Sequence, residues 1–271
     1  HYTLAILTLL PLLKSANNVG RWHMTSKEDL KAKVCALIEE RADEIVRIAK
    51  TILDHPEPGF REVKTANLVA NLFQKAGLKH RRGLALTGVK GELKGSANGP
   101  TVAVLGELDS LIVSEHPHAD PVTGAAHACG HHAQIGMLFG AVYGLMAPEV
   151  LEQLSGRIIF FAVPAEEYIE IEHRDELRRA GKLEFLGGKP ELIRLGEFDD
   201  VDMALMCHTS SVAEEKKMTI SGTNNGTLAK RIRFIGRAAH AGGAPHLGVN
   251  ALNAASMALM AIHANRETFI D

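Results

Sequence analysis

Four short clusters of side chains able to hold a metal or move a proton stand out: Glu107-Leu-Asp109, His127-Ala-Cys129-Gly-His131-His132, Glu166-Glu167 and Cys207-His208. Cys129 and His131 flank Gly130, whose missing Cβ lets the backbone turn tightly. A sulfur and an imidazole so spaced are donors that Zn²⁺ or Mn²⁺ accepts. A helix N-terminus just downstream, and a metal, would each lower the thiol pKa. Adjacent carboxylates at a strand end, as in Glu166-Glu167, point in different directions. One can bind a metal while the other takes a proton from water, the division of labour that metal-assisted hydrolysis needs. Each cluster also has an ordinary reading: a buried structural cysteine, a solvated acidic turn, a hydrogen-bonded core histidine. A nucleophilic Cys129 with a histidine base is a further alternative, though it leaves Glu166-Glu167 idle. The chain has no Gly-x-Ser-x-Gly, no phosphate loop, no Cys-x-x-Cys and no His-Glu-x-x-His.

Three of the clusters follow a segment that reads as a strand, and the His127–His132 cluster lies at the mouth of a Gly/Ala-rich helix. Val89–Leu93 and Thr101–Leu105 are β-branched runs separated by Gly95, Asn98, Gly99 and Pro100, and they read as neighbouring strands joined by a turn. Arg157–Val163 and Val201–Met206 read as buried strands. Lys27–Leu53 carries Val34, Leu37, Ile38, Ile45, Ile48 and Ile52 on one helical stripe, with Ser26 as cap. His55-Pro-Glu-Pro-Gly59 interrupts it, Phe60–Lys75 resumes the helical period, and Gly77 closes it. Ala133–Met146, rich in Gly and Ala, reads as a closely packed interior helix. Strands alternating with helices predict an α/β sandwich with a parallel or mixed sheet, whose sites lie at the carboxyl ends of strands. From about Lys216 the pattern changes: Met218–Ile220 and Lys230–Ile235 read as strands and Val249–Arg266 as a helix, the first part of a second α+β unit.

With 271 residues, 46% hydrophobic, 23% charged and a net charge of -2, the chain suits a globular protein of one or two domains. The balanced charge gives no reason to expect nucleic acid or an anionic membrane as partner. Three cysteines, an odd number, argue against a disulfide framework and for a reducing, cytoplasmic location. The apolar run Tyr2–Leu13 is shorter than the ~20 residues a spanning helix needs. Met24 reads as the natural start, with residues 1–23 upstream and non-native; a secretory leader is the alternative. Of the 14 histidines, His116, His118, His173 and His263 read as surface residues.

Taken in order, His55-Pro-Glu-Pro-Gly-Phe-Arg-Glu62 with Thr65, Gly106-Glu-Leu-Asp-Ser-Leu111, His127-Ala-Cys-Gly-His131, Pro164-Ala-Glu-Glu167, His208, Gly236-Arg-Ala-Ala-His240-Ala-Gly-Gly-Ala-Pro245 and Gly248-Val-Asn250 resemble a known series. It is similar to the binuclear-metal amidohydrolases related to aminoacylase and carboxypeptidase G. Within them it resembles the cysteine-ligand branch of aminobenzoyl-glutamate, hippurate and auxin-conjugate hydrolases. The likeness runs from about residue 45 to residue 271.

The resemblance implies a three-layer α/β sandwich catalytic domain over residues 24–215. Residues 216–271 would begin an inserted α+β lid and dimerisation domain. It implies two divalent ions, Mn²⁺ or Zn²⁺, bridged by Cys129 with His131, Glu167 and His208 as terminal ligands. Glu166 would be the general base, His240 the lid histidine that stabilises the oxyanion in the neighbouring subunit, and Asn250 a substrate contact. The implied reaction is hydrolysis of the amide bond of a small N-acyl or N-aroyl amino acid, by a homodimer. A non-catalytic metal-binding relative, or a dipeptidase or aminopeptidase on this scaffold, is the alternative. The family's last ligand histidine lies downstream of the lid, which implies a truncated chain that is inactive by itself. Three positions depart from the pattern: His132 stands where the branch carries Asp, Glu107 stands for an aspartate, and Tyr168-Ile-Glu-Ile-Glu172 replaces a glycine-rich segment.

Overall fold

The structure is a computed structural model that describes residues 26–210, 226 and 230–269. The proposed leader 1–23 and the strand Met218–Ile220 lie outside the described residues. The chain divides into two compact units, residues 1–218 and 219–271.

The first unit opens with α1 (Lys27–Glu40) and α2 (Ala42–Leu53). Ser26 caps α1 through a reciprocal pair with Asp29. The single helix expected over 27–53 is broken at Arg41, where φ is -107° and ψ 13°. A continuous helix would stack Glu39 on Asp43 and Glu40 on Glu44, like charges one turn apart. The break places Asp43 and Glu44 at a fresh helix start instead, where acidic side chains are favoured. Arg41 then lies 3.6 Å from the centre of the Tyr143 ring, and the Tyr143 hydroxyl donates to Glu44 at 2.9 Å.

Next come α3 (Val63–Lys75), β1 (Lys79–Leu84), β2 (Gly88–Lys94), β3 (Ala97–Glu107), and the short β4 (Leu111–Ile112) and β5 (Ala125–Ala126). They are followed by α4 (His131–Leu145), α5 (Pro148–Leu151), β6 (Ser155–Val163), α6 (Ile171–Arg179), α7 (Gly188–Arg194) and β7 (Met203–Met206). The main sheet is mixed, in the order β1-β2-β6-β3-β7. β3 is parallel to β6 and β7, while β2 is antiparallel to β1 and β6. The expectation that β2 and β3 are neighbours fails, because β6 lies between them. β6 is the strand apolar enough to be buried on both faces, so it takes the centre. Its Ile158, Phe160 and Ala162 join the core beneath α1–α4, whereas Ile159, Phe161 and Val163 join a second core with Leu192 of α7. β7 is not a buried strand: Met203 and Met206 are exposed at the sheet edge among the described residues.

Gly136, Gly140 and Gly144 of α4 face α1 and α2, and a Cβ built on Gly144 would lie 2.8 Å from Val34 Cγ1. Gly144→Leu should therefore lower stability by about 1–3 kcal/mol through overpacking, read as a lower urea midpoint.

In the second unit, α8 (Ala251–Ala264) matches the expected helix. Lys230–Ile235 forms no strand. A β-branched run needs a partner, and the one pairing among this unit's described residues is the isolated bridge Arg237–Val249.

Candidate metal centre

The carboxyl ends of β3, β6 and β7, with the N-terminus of α4, bring the sequence clusters of the first unit together. Gly130 has φ +89° and caps α4, so His131 is the first helical residue and is wholly buried. A Cβ on Gly130 would lie 2.5 Å from Thr209 Oγ1, and that hydroxyl donates to the Cys129 carbonyl at 2.8 Å. This close approach ties the Cys129 loop to the end of β7. Cys129 Sγ consequently lies 3.2 Å from His208 Nε2.

Both histidines are oriented through their other nitrogen. His131 Nδ1 donates to the Asp109 carbonyl at 2.8 Å, and His208 Nδ1 to the Thr209 carbonyl at 2.6 Å. Each Nε2 is thereby aimed into the site, the arrangement that metal-binding histidines favour. His131 Nε2 lies 2.9 Å from Glu107 Oε2 and 3.9 Å from both Glu166 Oε2 and Glu167 Oε1. Asp109 Oδ2 accepts from the Glu167 amide at 2.9 Å. Glu107 also accepts from Gln134 Nε2 at 2.9 Å and from the Lys189 ammonium.

Two donor groups have all their ligand atoms within 4.8 Å of one another: Cys129, His131 and His208; and Glu107, His131 and Glu166. Asp109 Oδ1, His131 Nε2 and Glu167 Oε1 are buried without a hydrogen-bond partner; the His131–Glu107 contact is close but not aligned as one. Orphaned ligand atoms of this kind are costly unless something completes them. Their sulfur, nitrogen and carboxylate mixture fits a divalent transition ion.

The electrostatics agree. Four carboxylates, Glu107, Asp109, Glu166 and Glu167, face two cationic side chains, Lys189 and His131. Burial alone would hold His131 neutral, but Asp109 and Glu107 outweigh it and lift the imidazole to about 10. Burial likewise opposes ionisation of Glu107, yet His131 and Lys189 bring it down to about 2. The Cys129 thiol, expected to be lowered by the helix start together with a metal, is raised in the metal-free site. Burial, then Glu167, Glu166 and Glu107, push it up to about 12. A thiolate here needs a metal beside it. Glu166 is raised, by burial first and then by the Glu107 charge, with Lys189 opposing.

The residues of the second unit have local roles. His240 Nδ1 accepts from the Gly243 amide at 2.8 Å, and Asn250 caps α8 by accepting from Leu252 and Asn253. His132 turns toward buried His127, with ring centres 5.6 Å apart. Lys189, Gln134, Arg174 and buried Glu62 were not singled out as site residues by spacing. Gly187-Gly188 folds back on Pro164-Ala165, the Gly188 amide donating to the Ala165 carbonyl at 3.0 Å. A Cβ on Gly188 would fall 1.7 Å from the Pro164 carbonyl oxygen.

Comparison with known proteins fits this geometry. Residues 103–261 match the family described as Peptidase family M20/M25/M40. Thermostable carboxypeptidase 1 of Saccharolobus solfataricus is 33% identical over 227 residues, 80% of this chain and 52% of that protein. IAA-amino acid hydrolase ILR1-like 6 of Arabidopsis thaliana is 34% identical over 169 residues, 61% of this chain and 32% of that protein. The chain thus spans about half the length of the first and a third of the second. Among solved structures, the Bacillus subtilis YXEP protein, a dinuclear metal-binding peptidase, superposes with a TM-score of 0.50 at 24% identity, over 61% of this chain and 42% of that one. Among the described residues no helix is long and apolar enough to cross a membrane.

Proposed function

This chain belongs to the peptidase family M20/M25/M40, whose relatives include hydrolases of amino-acid conjugates, and from that premise we propose that the protein hydrolyses the amide bond of small N-acyl or N-aroyl amino acids. The observation that carries the reading is the convergence of Cys129, His131, His208, Glu166 and Glu167 at one edge of the sheet, with buried ligand atoms left unpartnered.

In this reading Cys129, His131, Glu167 and His208 would hold two divalent ions, Mn²⁺ or Zn²⁺, as the resemblance to the cysteine-ligand branch implies. When bound, such a pair supplies Lewis acidity toward the scissile carbonyl and toward water. Asp109 and the Thr209 carbonyl orient the two imidazoles. Glu166, raised and partly exposed, takes the proton from the attacking water and returns it to the leaving amine nitrogen. His240 is assigned the oxyanion contact, and Asn250 a contact to substrate. Residues 24–215 form the catalytic domain, and 216–271 begin the lid through which two copies pair.

The test is amino-acid release by the whole gene product from N-acyl, aminobenzoyl and dipeptide substrates, with Mn²⁺ or Zn²⁺. Metal-dependent release from blocked substrates is expected. Release only from substrates with a free amine would point to an aminopeptidase or dipeptidase instead. No release at all, with bound metal, would leave a non-catalytic relative.

A further inference from the structure

The two glutamates of the site lie on a loop, Pro164–Tyr168, that follows β6 and carries strain. Ala165 has φ +49°, a conformation an alanine adopts only when its surroundings impose it. Three successive peptide groups set where Glu166 and Glu167 point, and each is anchored. The Ala165 carbonyl accepts from Arg174 Nη1 at 3.2 Å and from the Gly188 amide at 3.0 Å. The Glu167 amide donates to Asp109 at 2.9 Å, and the Glu167 carbonyl accepts from Arg174 Nη2. Arg174 thus holds the peptide groups on both sides of the Glu166-Glu167 pair.

Arg174 is wholly buried, which is unusual for a guanidinium, and among the described residues it has no carboxylate within ion-pair distance. Three carbonyls solvate it instead, those of Ala165, Glu167 and Leu186. The Phe60 and Tyr168 rings lie 5.3 Å and 5.7 Å from its central carbon. A buried charge used only as filler would cost more than an apolar side chain of similar volume. Its two forked nitrogens match carbonyls flanking the glutamates, a geometry a lysine cannot reproduce. Arg174 comes from α6, two residues beyond the Tyr168–Glu172 segment that departs from the family pattern.

We propose that Arg174 is the positioning residue of the Glu166-Glu167 loop, gripping the Ala165 and Glu167 carbonyls so that the two carboxylates keep separate directions. The assignment of tasks to those carboxylates rests on the hydrolase reading; the grip itself does not.

The experiment compares the 271-residue chain with Arg174→Met and Arg174→Lys. Amide hydrogen exchange over residues 165–168 and titration with Co²⁺ alone are the readouts. Arg174→Met should exchange at least tenfold faster at 165–168 while α4 stays protected. It should also bind Co²⁺ about tenfold more weakly, with an altered ligand-field spectrum and the Cys129 charge-transfer band retained. Arg174→Lys should fall between the two. A merely stabilising role would leave the spectrum of the folded protein unchanged. Wild-type exchange and wild-type Co²⁺ binding in folded Arg174→Met overturn the proposal. If that variant does not fold, the same two results in Arg174→Lys overturn it. Should the wild-type chain bind no Co²⁺, exchange alone decides. Absence of hydrolysis by the whole gene product would refute the hydrolase reading and leave the exchange result standing.

Discussion

Replacing Glu166 by Gln in the whole gene product should lower kcat for amide hydrolysis by about 10²–10⁴-fold, the usual contribution of a general base. That is roughly 3–5 kcal/mol of transition-state stabilisation at 1.36 kcal/mol per tenfold. Glutamine keeps the shape and the hydrogen-bonding capacity but cannot accept the proton of the attacking water. KM should change little, because the loss falls on a step made only in the transition state. Burial and the Glu107 charge raise Glu166, which moves it toward the pH at which it must accept and then donate. Its place within 4.8 Å of Glu107 and His131 also makes it a possible ligand. Metal content of the variant separates the two roles. Two ions with kcat collapsed indicate a base; loss of one ion makes Glu166 a ligand, and the assignment to Glu167 would then be withdrawn.

The parts of this molecule that were legible in the sequence are those where a residue's neighbours in the chain decide its environment. β6 and α4 are long apolar runs, so their burial follows from composition. Glu107, Glu166 and His208 each lie at or just past the end of a strand, and the carboxyl ends of parallel strands share an edge, so their convergence was readable too. β1 was missed because Lys79-His-Arg-Arg82 is an edge strand, and edge strands carry charge that hides the β pattern. The order β2-β6-β3 was missed because adjacency in sequence is a poor guide where a more apolar strand can take the centre. Lys189 and Arg174 were illegible for a different reason. Lys189 reaches the site because Gly187-Gly188 folds back on Pro164-Ala165, and Arg174 because α6 turns it back onto the loop that precedes it, paths no spacing rule encodes. Without a metal the Cys129 thiol stays high because of burial and the three carboxylates around the sulfur, an environment that neighbours in the chain do not reveal.

That crowd of carboxylates makes the fold itself a reporter of metal. With Mn²⁺ or Zn²⁺ at one hundred times its dissociation constant, the chain should gain about 2.7 kcal/mol of unfolding free energy per site, and a chelator should remove it. The gain must depend on pH, and its sign follows from the protons on the ligands. Without metal, Cys129 at about 12 and His131 at about 10 are both protonated at neutral pH. Each must shed its proton to bind, whereas Glu107, at about 2, is already ionised. The metal-free state therefore holds more protons, and affinity rises with pH, by about tenfold per unit for each proton released. Calorimetric titration near pH 7 in two buffers of different ionisation enthalpy should report close to two protons for the fully loaded site. Cys129→Ala should release one fewer and bind more weakly, and its stability should respond less to metal than that of the wild type. Tight binding of a single ion with no proton release, unchanged in Cys129→Ala, would show that the thiol is a spectator and that the ion sits on Glu107, Glu166 and Glu167 alone.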